Sequence, residues 1–528
     1  MPKLLMALVA SVAAMGLQGA TPVQTRLLVN IIVDGLDDNY IDILRDHLTD
    51  GGLLRLERGG ARFTADYGMA LDATAATATL MTGAGPSLTG IGSSTYYDRY
   101  GLRPQSAYSD ANVLGNYTSE GFSPASLRVS TISDEVRIAS GGTGLVYSVA
   151  PTAGTSIGMA GHNATGALWL DTKTGNWASS TAYGDMPPSI TNRNRMMPLA
   201  ARLDTMNWTP SLVEFPNVPE YLSRYPFRHT FPRSSEDRLD MFMTSPLLNR
   251  EVTAVAKDLL QNYKLGSHEG TTDVLNIGYS LTPYPYGRAA DKRTETMDAY
   301  VKLDRDLDVL FSDIDKSIGL DKTVIMLAAT PPRPQRRRDE EEWKIPYGEF
   351  STRKAVSLLN VYLMALHGNG DYISAYHNGH LYLNHKLLKE LELNTAAVRE
   401  EVAQFLARMT GIDRVYTIDD IVAGRAGQNP EVLRRNTVVS TAGDILFYTA
   451  PGFEIIDDYN NLNPSSARRN LIQTGATPFA PVFILAPGIA AQTLDTPVDA
   501  RAIAPTLARI LRIRSPNAAD KASIKLKK

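Results

Sequence analysis

Cysteine is absent from all 528 residues. The chain therefore forms no disulfide, has no thiolate metal ligand and offers no cysteine for a lipid anchor. An excess of one charge is also missing. The 53 Lys and Arg face 56 Asp and Glu, a net charge of −3, so neither a nucleic-acid nor a membrane-surface partner is expected. Beyond the amino-terminal segment no long apolar run occurs, and no membrane span is expected in the mature chain. No internal repeat is visible.

What is present is the composition of a globular protein with a large core, 43% hydrophobic and 21% charged. Met1-Pro2-Lys3 is followed by the apolar stretch Leu4 to Leu17 and then by small residues. One positive charge, an apolar segment too short to span a bilayer and a small-residue exit read as a secretory signal peptide over residues 1–20. Cleavage is expected near Gly16 to Ala20, followed by export to a bacterial periplasm.

The stretch Leu27-Leu28-Val29-Asn30-Ile31-Ile32-Val33-Asp34-Gly35 organises the rest. A short apolar, β-branched run ending in a turn signal reads as a strand buried on both faces. Helical periodicity follows from Ile41 to Leu56. Strand, tight turn and helix begin an α/β sheet, in which ligands sit beyond the carboxyl ends of the strands. Asp34 thus stands where a metal ligand or catalytic acid is expected, or else caps the next helix. Leu71 to Gly83 reads as an alanine- and threonine-rich helix closed by glycine. Its amino terminus suits an anion, or the helix is simply built of small residues for close packing.

Further core strands are expected at Thr143–Ala150, Asp273–Ser280, Thr323–Ala329 and Val482–Gly488. Helices are expected at Pro246–Leu265 with Ser245 as its cap, at Thr294–Ile318 and at Ala502–Arg512, followed by a frayed basic tail. Residues 185–245 read as irregular, and residues 350–450 as a second α+β layer.

Several of these pieces resemble the alkaline phosphatase superfamily, in particular its large periplasmic bacterial members with a threonine nucleophile. They are the strand ending in Asp34, the helix closing on Thr82-Gly83, the turn Pro86 to Gly90-Ile91 and Ala504-Pro505-Thr506-Leu507. Ile132-Ser133-Asp134-Glu135, Gly161-His162, Lys173-Thr174-Gly175-Asn176-Trp177, Tyr382-Leu383-Asn384, Val415-Tyr416-Thr417 and Gly443-Asp444-Ile445-Leu446-Phe447 follow in the same order. The resemblance implies an α/β fold: a central, mostly parallel sheet sandwiched by helices, with inserted accessory α+β elements. It implies one domain over 21–528 with insertions at about 93–245 and 333–445.

It also implies a chemistry in which two zinc ions hold the phosphoryl group and activate the threonine hydroxyl. Position by position, most of that apparatus is missing. Asp34 matches the first metal ligand. The nucleophile position falls on Ala73, and a one-residue deletion puts Thr74 there. The phosphoryl-binding Asn falls near Ser94, and the basic clamp falls on Thr152 to Gly154. The Asp-x-x-x-His motif falls on Pro283 and Gly287, the Asp-His pair on Thr330 and Pro331, and no His occurs in residues 466–480.

The eight histidines, at 47, 162, 229, 268, 367, 377, 380 and 385, miss every ligand position. His377 and His380 read as exposed strand-end residues, and Arg288 is placed near one vacant metal position. The expectation is a pseudophosphatase with no cofactor. It would bind a small ligand or an envelope protein partner in the former active-site cleft, lined by Tyr96, Tyr97, Tyr284 and Tyr286. The alternative is an active phosphoric or sulfuric ester hydrolase, holding zinc with Asp34, Asp37, Asp38, Asp72 and a distant His. A third reading is a structural subunit of an envelope assembly, with the charged loop Arg333–Glu342 as its contact.

Overall fold

The computed structural model describes residues 24–218, 220, 224, 226–286, 291–332, 344, 347–459, 468–470 and 476–528. The expected signal peptide, Gly287, Arg288 and the loop Arg333–Glu342 lie outside the described residues.

Ten strands form the main sheet: β1 (Leu27–Asp34), β2 (Ala61–Asp66), β3 (Gly115–Asn116), β4 (Val146–Ala150), β5 (Gly166–Leu170), β6 (Trp177–Ser180), β7 (Asp273–Ser280), β8 (Thr323–Ala329), β9 (Phe479–Leu485) and β10 (Gln492–Asp499). Their order is β10-β2-β9-β8-β1-β7-β4-β5-β6-β3. β8, β1, β7, β4 and β5 run parallel. β9 lies antiparallel between β8 and β2. Leu27 through Val33 are all buried, as the continuous apolar run requires of a strand covered on both faces.

The covering helices are α1 (Ala73–Thr82), α2 (Ile132–Ala139), α3 (Ala153–Ala160), α4 (Leu247–Asn262), α5 (Arg293–Ser317) and α6 (Ile503–Leu511). One continuous core joins most of them to the sheet. A second core lies in the accessory layer, where strands Ile373–His377, His380–Leu383, Ile445–Thr449 and Ile412–Thr417 carry helices Thr352–His367 and Thr395–Leu406. Among the described residues no helix is long and apolar enough to cross a membrane.

Several sequence expectations change. β3, β4, β5 and β6 all fall within 93–245, so that interval is not wholly an insertion. The helical pattern from Ile41 to Leu56 breaks into Asp38–Ile43, a short 3-10 turn and Leu53–Gly59. Gly52 precedes the second piece, and a Cβ there would overlap the Asp304 carboxylate. That carboxylate accepts from the N–H groups of Thr49 and Leu53 at 2.6 and 2.7 Å. Ser245 does not cap α4; its hydroxyl donates back to Phe242 O at 2.8 Å, closing the preceding helix.

The carboxyl-terminal tail is docked rather than frayed. Ile524 N donates to Thr506 Oγ1 at 2.8 Å, and Ala490 N donates to Lys527 O at 3.0 Å. Arg514 pairs with the buried Glu135 at 3.0 Å.

One buried acid sets a pH dependence. Asp306 on α5 is 8% exposed, and its Oδ2 has no hydrogen-bond partner. Burial pushes its carboxyl up to about 6, against the opposing charges of Arg250 and Lys302. The folded carboxyl keeps its proton to about pH 6, whereas the unfolded one releases it near pH ~4. Stability from this group is thus fullest below pH ~4 and declines as pH rises through 6. Asp306→Asn is expected to flatten that decline and to raise stability at pH 8 by about 1–3 kcal/mol. Urea unfolding from pH 4 to 8 checks both.

Candidate active-site cleft

The parallel register brings the ends of β1, β7 and β8 together, pairing Asp34 with Ser280 and Val33 with Ala329. The chain turns away from β1 at Gly35, whose φ of +81° is a conformation that glycine takes without strain. Thr330 follows β8 directly. Its N–H donates to Val33 O at 3.1 Å. Its hydroxyl donates to Asp34 Oδ1 at 2.7 Å. Asp34 therefore does not cap the next helix. Asp37 does, accepting from Asn39 N at 3.0 Å.

The helix expected to carry the nucleophile forms as α1. Asp72 caps it, accepting from Thr74 N at 2.9 Å, and its other oxygen accepts from Ser94 Oγ at 3.1 Å. Thr74 is 4% exposed. It faces the first turn of α3, where a Cβ on Gly154 would lie 2.8 Å from Thr74 Oγ1. That turn presents no basic side chain. Thr152 caps it, accepting from Thr155 N at 3.3 Å.

The accessory layer reaches the same segment. Asn378 Nδ2 donates to Ser93 Oγ at 3.3 Å, and His377 Nε2 lies 3.0 Å from Thr95 Oγ1. His377 is 7% exposed, so the expected exposed strand end is a buried contact instead. His380, partly buried, is driven down to about 4, first by desolvation and then by the charges of His377 and Arg99. Its neutral Nδ1 accepts from Gly443 N at 3.3 Å. Sequence reasoning missed these contacts because the hairpin's partner lies some 280 positions earlier (|i−j| = 282).

Two of the four tyrosines expected to line the cleft are packing residues. Tyr284 is 2% exposed, with its ring centroid 5.0 Å from Trp208 and 4.5 Å from His229. Tyr97 is 9% exposed and lies 5.0 Å from Tyr382. Tyr96 and Tyr286 are partly buried. His162 is structural. Its Nδ1 lies 3.2 Å from Asp134 Oδ2, and its Nε2 donates to Leu127 O at 2.8 Å.

Among the described residues no three of His, Cys, Asp and Glu are grouped so as to hold a metal ion. Of the acids that might rebuild one, Asp37 and Asp72 cap helices and Asp38 pairs with Arg62 at 3.0 Å. Pro283, Pro331 and Thr330 bring neither a carboxylate nor an imidazole to the strand ends.

Comparison with known proteins gives a consistent picture. The sequence profile described as Type I phosphodiesterase / nucleotide pyrophosphatase matches residues 28–473. Alkaline phosphatase PafA of Elizabethkingia meningoseptica is 24% identical over 518 residues, 94% of this chain and 93% of that protein. Alkaline phosphatase PhoV of Synechococcus elongatus is 27% identical over 328 residues, 58% of this chain and 59% of that protein. The crystal structure of PafA superposes with a TM-score of 0.81 at 23% identity, covering 95% of this chain and 98% of that one. The mixed α/β architecture expected from the sequence is therefore the fold of that structure.

The Asp72 cap is the most exposed dependency of the cleft. Asp72→Ala is expected to destabilise the chain by about 1 kcal/mol and to free Ser94, whereas Asp72→Asn retains most of the cap. Chemical denaturation of the two variants side by side checks this.

Proposed function

The chain belongs to the Type I phosphodiesterase / nucleotide pyrophosphatase family, within the alkaline phosphatase superfamily, and we propose that it is an exported member that has given up dizinc phosphohydrolysis and acts by binding. Relatives named as alkaline phosphatases make phosphoester hydrolysis the reaction to test against. The observation that carries the proposal is the bond from Thr330 Oγ1 to Asp34 Oδ1, 2.7 Å long. The resemblance puts a metal-ligating acid at 330. A hydroxyl stands there instead and satisfies an oxygen that would otherwise face a cation. Without a cation to lower its pKa, a threonine hydroxyl is a poor nucleophile at neutral pH. Thr74 then serves as a helix residue packed on Gly154, and the cleft is left to a small ligand or an envelope partner. Periplasmic residence is part of this reading and rests on the leader expected at residues 1–20.

A second reading keeps catalysis. It is favoured by Thr74 lying at the first turn of α1 and by Asp34 being retained at the end of β1. It requires zinc drawn to a rearranged ligand set, and it predicts turnover of a phosphate or sulfate ester.

Elemental analysis of the purified protein, with p-nitrophenyl phosphate and phosphodiester turnover measured in added zinc, separates the two. The proposal expects substoichiometric zinc and turnover indistinguishable from Thr74→Ala. Near-stoichiometric zinc with turnover abolished in Thr74→Ala would overturn it.

A further inference from the structure

A cavity of about 660 Å³ lies at the opposite end of the sheet from Asp34. Its walls include Gln24 and Thr25, just before β1, and Thr271 and Thr272, just before β7. β1 is 8 residues long, so about 25 Å separates this cavity from the cleft at the other end of the strand. The volume falls within the roughly 300–1,000 Å³ usual for small-molecule sites.

The chemistry of the walls is amphipathic. Ile489, Ile513, Ile524 and Leu526 supply an apolar surface, and the exposed Arg509, Arg512 and Lys528 also line the cavity. No Asp or Glu lines the cavity among the described residues. The nearest acid on the lining helix α2, Glu135, is taken by Arg514 at 3.0 Å. Arg509 donates only a long bond to Ser523 Oγ, 3.4 Å, and neither guanidinium forms an ion pair with a described residue.

The docked tail builds one side. Ile524 and Leu526 alternate inward while Lys525 and Lys527 stay exposed, a strand-like period fixed by the bonds to Thr506, Ala490 and Gln492.

We infer that this cavity binds the anion of a medium-chain fatty acid, with the alkyl chain against the isoleucines and Leu526 and the carboxylate on Arg509 and Arg512. An inorganic anion would leave the apolar walls uncovered. A cationic amphiphile would set a like charge beside the guanidinium groups. A carboxylate held by paired guanidinium donors gains charge-assisted hydrogen bonds, which arginine forms in a planar fork. The inference does not depend on the fate of the cleft.

Displacement of the fluorescent probe 11-(dansylamino)undecanoic acid from the purified protein by dodecanoate tests it. Saturable displacement is expected. Arg509→Glu with Arg512→Glu is expected to weaken dodecanoate by tenfold or more, about one factor of ten per 1.4 kcal/mol. Leu526→Asp is expected to weaken it similarly, with thermal unfolding monitored in each variant to show that the fold persists. Should the charge reversals unfold the chain, Arg509→Gln with Arg512→Gln replaces them. Thr74→Ala is expected to bind as wild type, which keeps this test separate from that of the cleft. Absence of displacement, equal affinity in the arginine variants, or equal affinity for dodecyltrimethylammonium each overturns the inference.

Discussion

A pair of buried amides fixes the register on which the rest of the molecule depends. Asn30 in β1 and Asn276 in β7 are both fully buried and directly opposite each other. Asn30 Nδ2 donates to Asn276 Oδ1 at 2.8 Å, and Asn276 Nδ2 donates to Ser133 Oγ at 3.0 Å and to Met159 O at 3.2 Å. The flanking apolar residues would tolerate sliding, since one leucine or isoleucine fits much like the next. The amides would not, because a slip of one residue turns them to the other face and breaks the bonds of Asn30 Nδ2 and of Asn276, at about 1–3 kcal/mol each; Asn30 Oδ1 has no partner even in register. With the register held, Asp34 falls at the strand end beside β8, and Thr330 meets it.

A carboxylate at the end of a parallel strand is a liability unless something neutralises it. Thr330 supplies one hydrogen bond to Asp34, and the neighbouring first turn of α3 carries threonine and glycine. The accessory layer is fastened beside this site by charge. Asp444 is fully buried and meets Arg99 at 3.0 Å, Arg399 at 2.8 Å and His385 at 2.9 Å. Burial alone would raise its carboxyl, but the His385 bond, the Arg99 charge and the Leu383 N–H hold it well below the usual range. Arg99 also lies over the Tyr382 ring at 5.1 Å. The hairpin bearing Tyr97 thus serves as a staple between two cores rather than as a rim.

The parts of this structure legible in the sequence are those whose burial is one-dimensional. β1, β8, α1 and α5 announce themselves through unbroken apolar runs or a sustained helical period. β10 gives no such signal, because Gln492–Asp499 is a mostly exposed edge strand containing Pro497. The tail did carry a signal, since Ile524 and Leu526 alternate with lysines, but a basic terminus reads as solvated unless a docking surface is known. His377 and His380 were misread for a related reason. Segment 93–95 covers His377 and Gly443 contacts His380, and no local pattern links either to the hairpin. In the cleft, the places of Asp34 at the end of β1 and of Thr74 in the first turn of α1 are legible from the local pattern. That Thr330 bonds Asp34 is not, because it arises from strand order alone.

That strand order has a consequence for how the chain is made. The partners of β1 come from far downstream, and the Asn30–Asn276 bond spans 246 positions. At ordinary translation speeds this apolar strand would wait on the order of 10–50 s for its neighbour to be synthesised. The central sheet cannot assemble vectorially from the amino terminus. Its first strand is also the one whose stickiness must be managed longest, while β3, β4, β5 and β6 can pair among themselves before it.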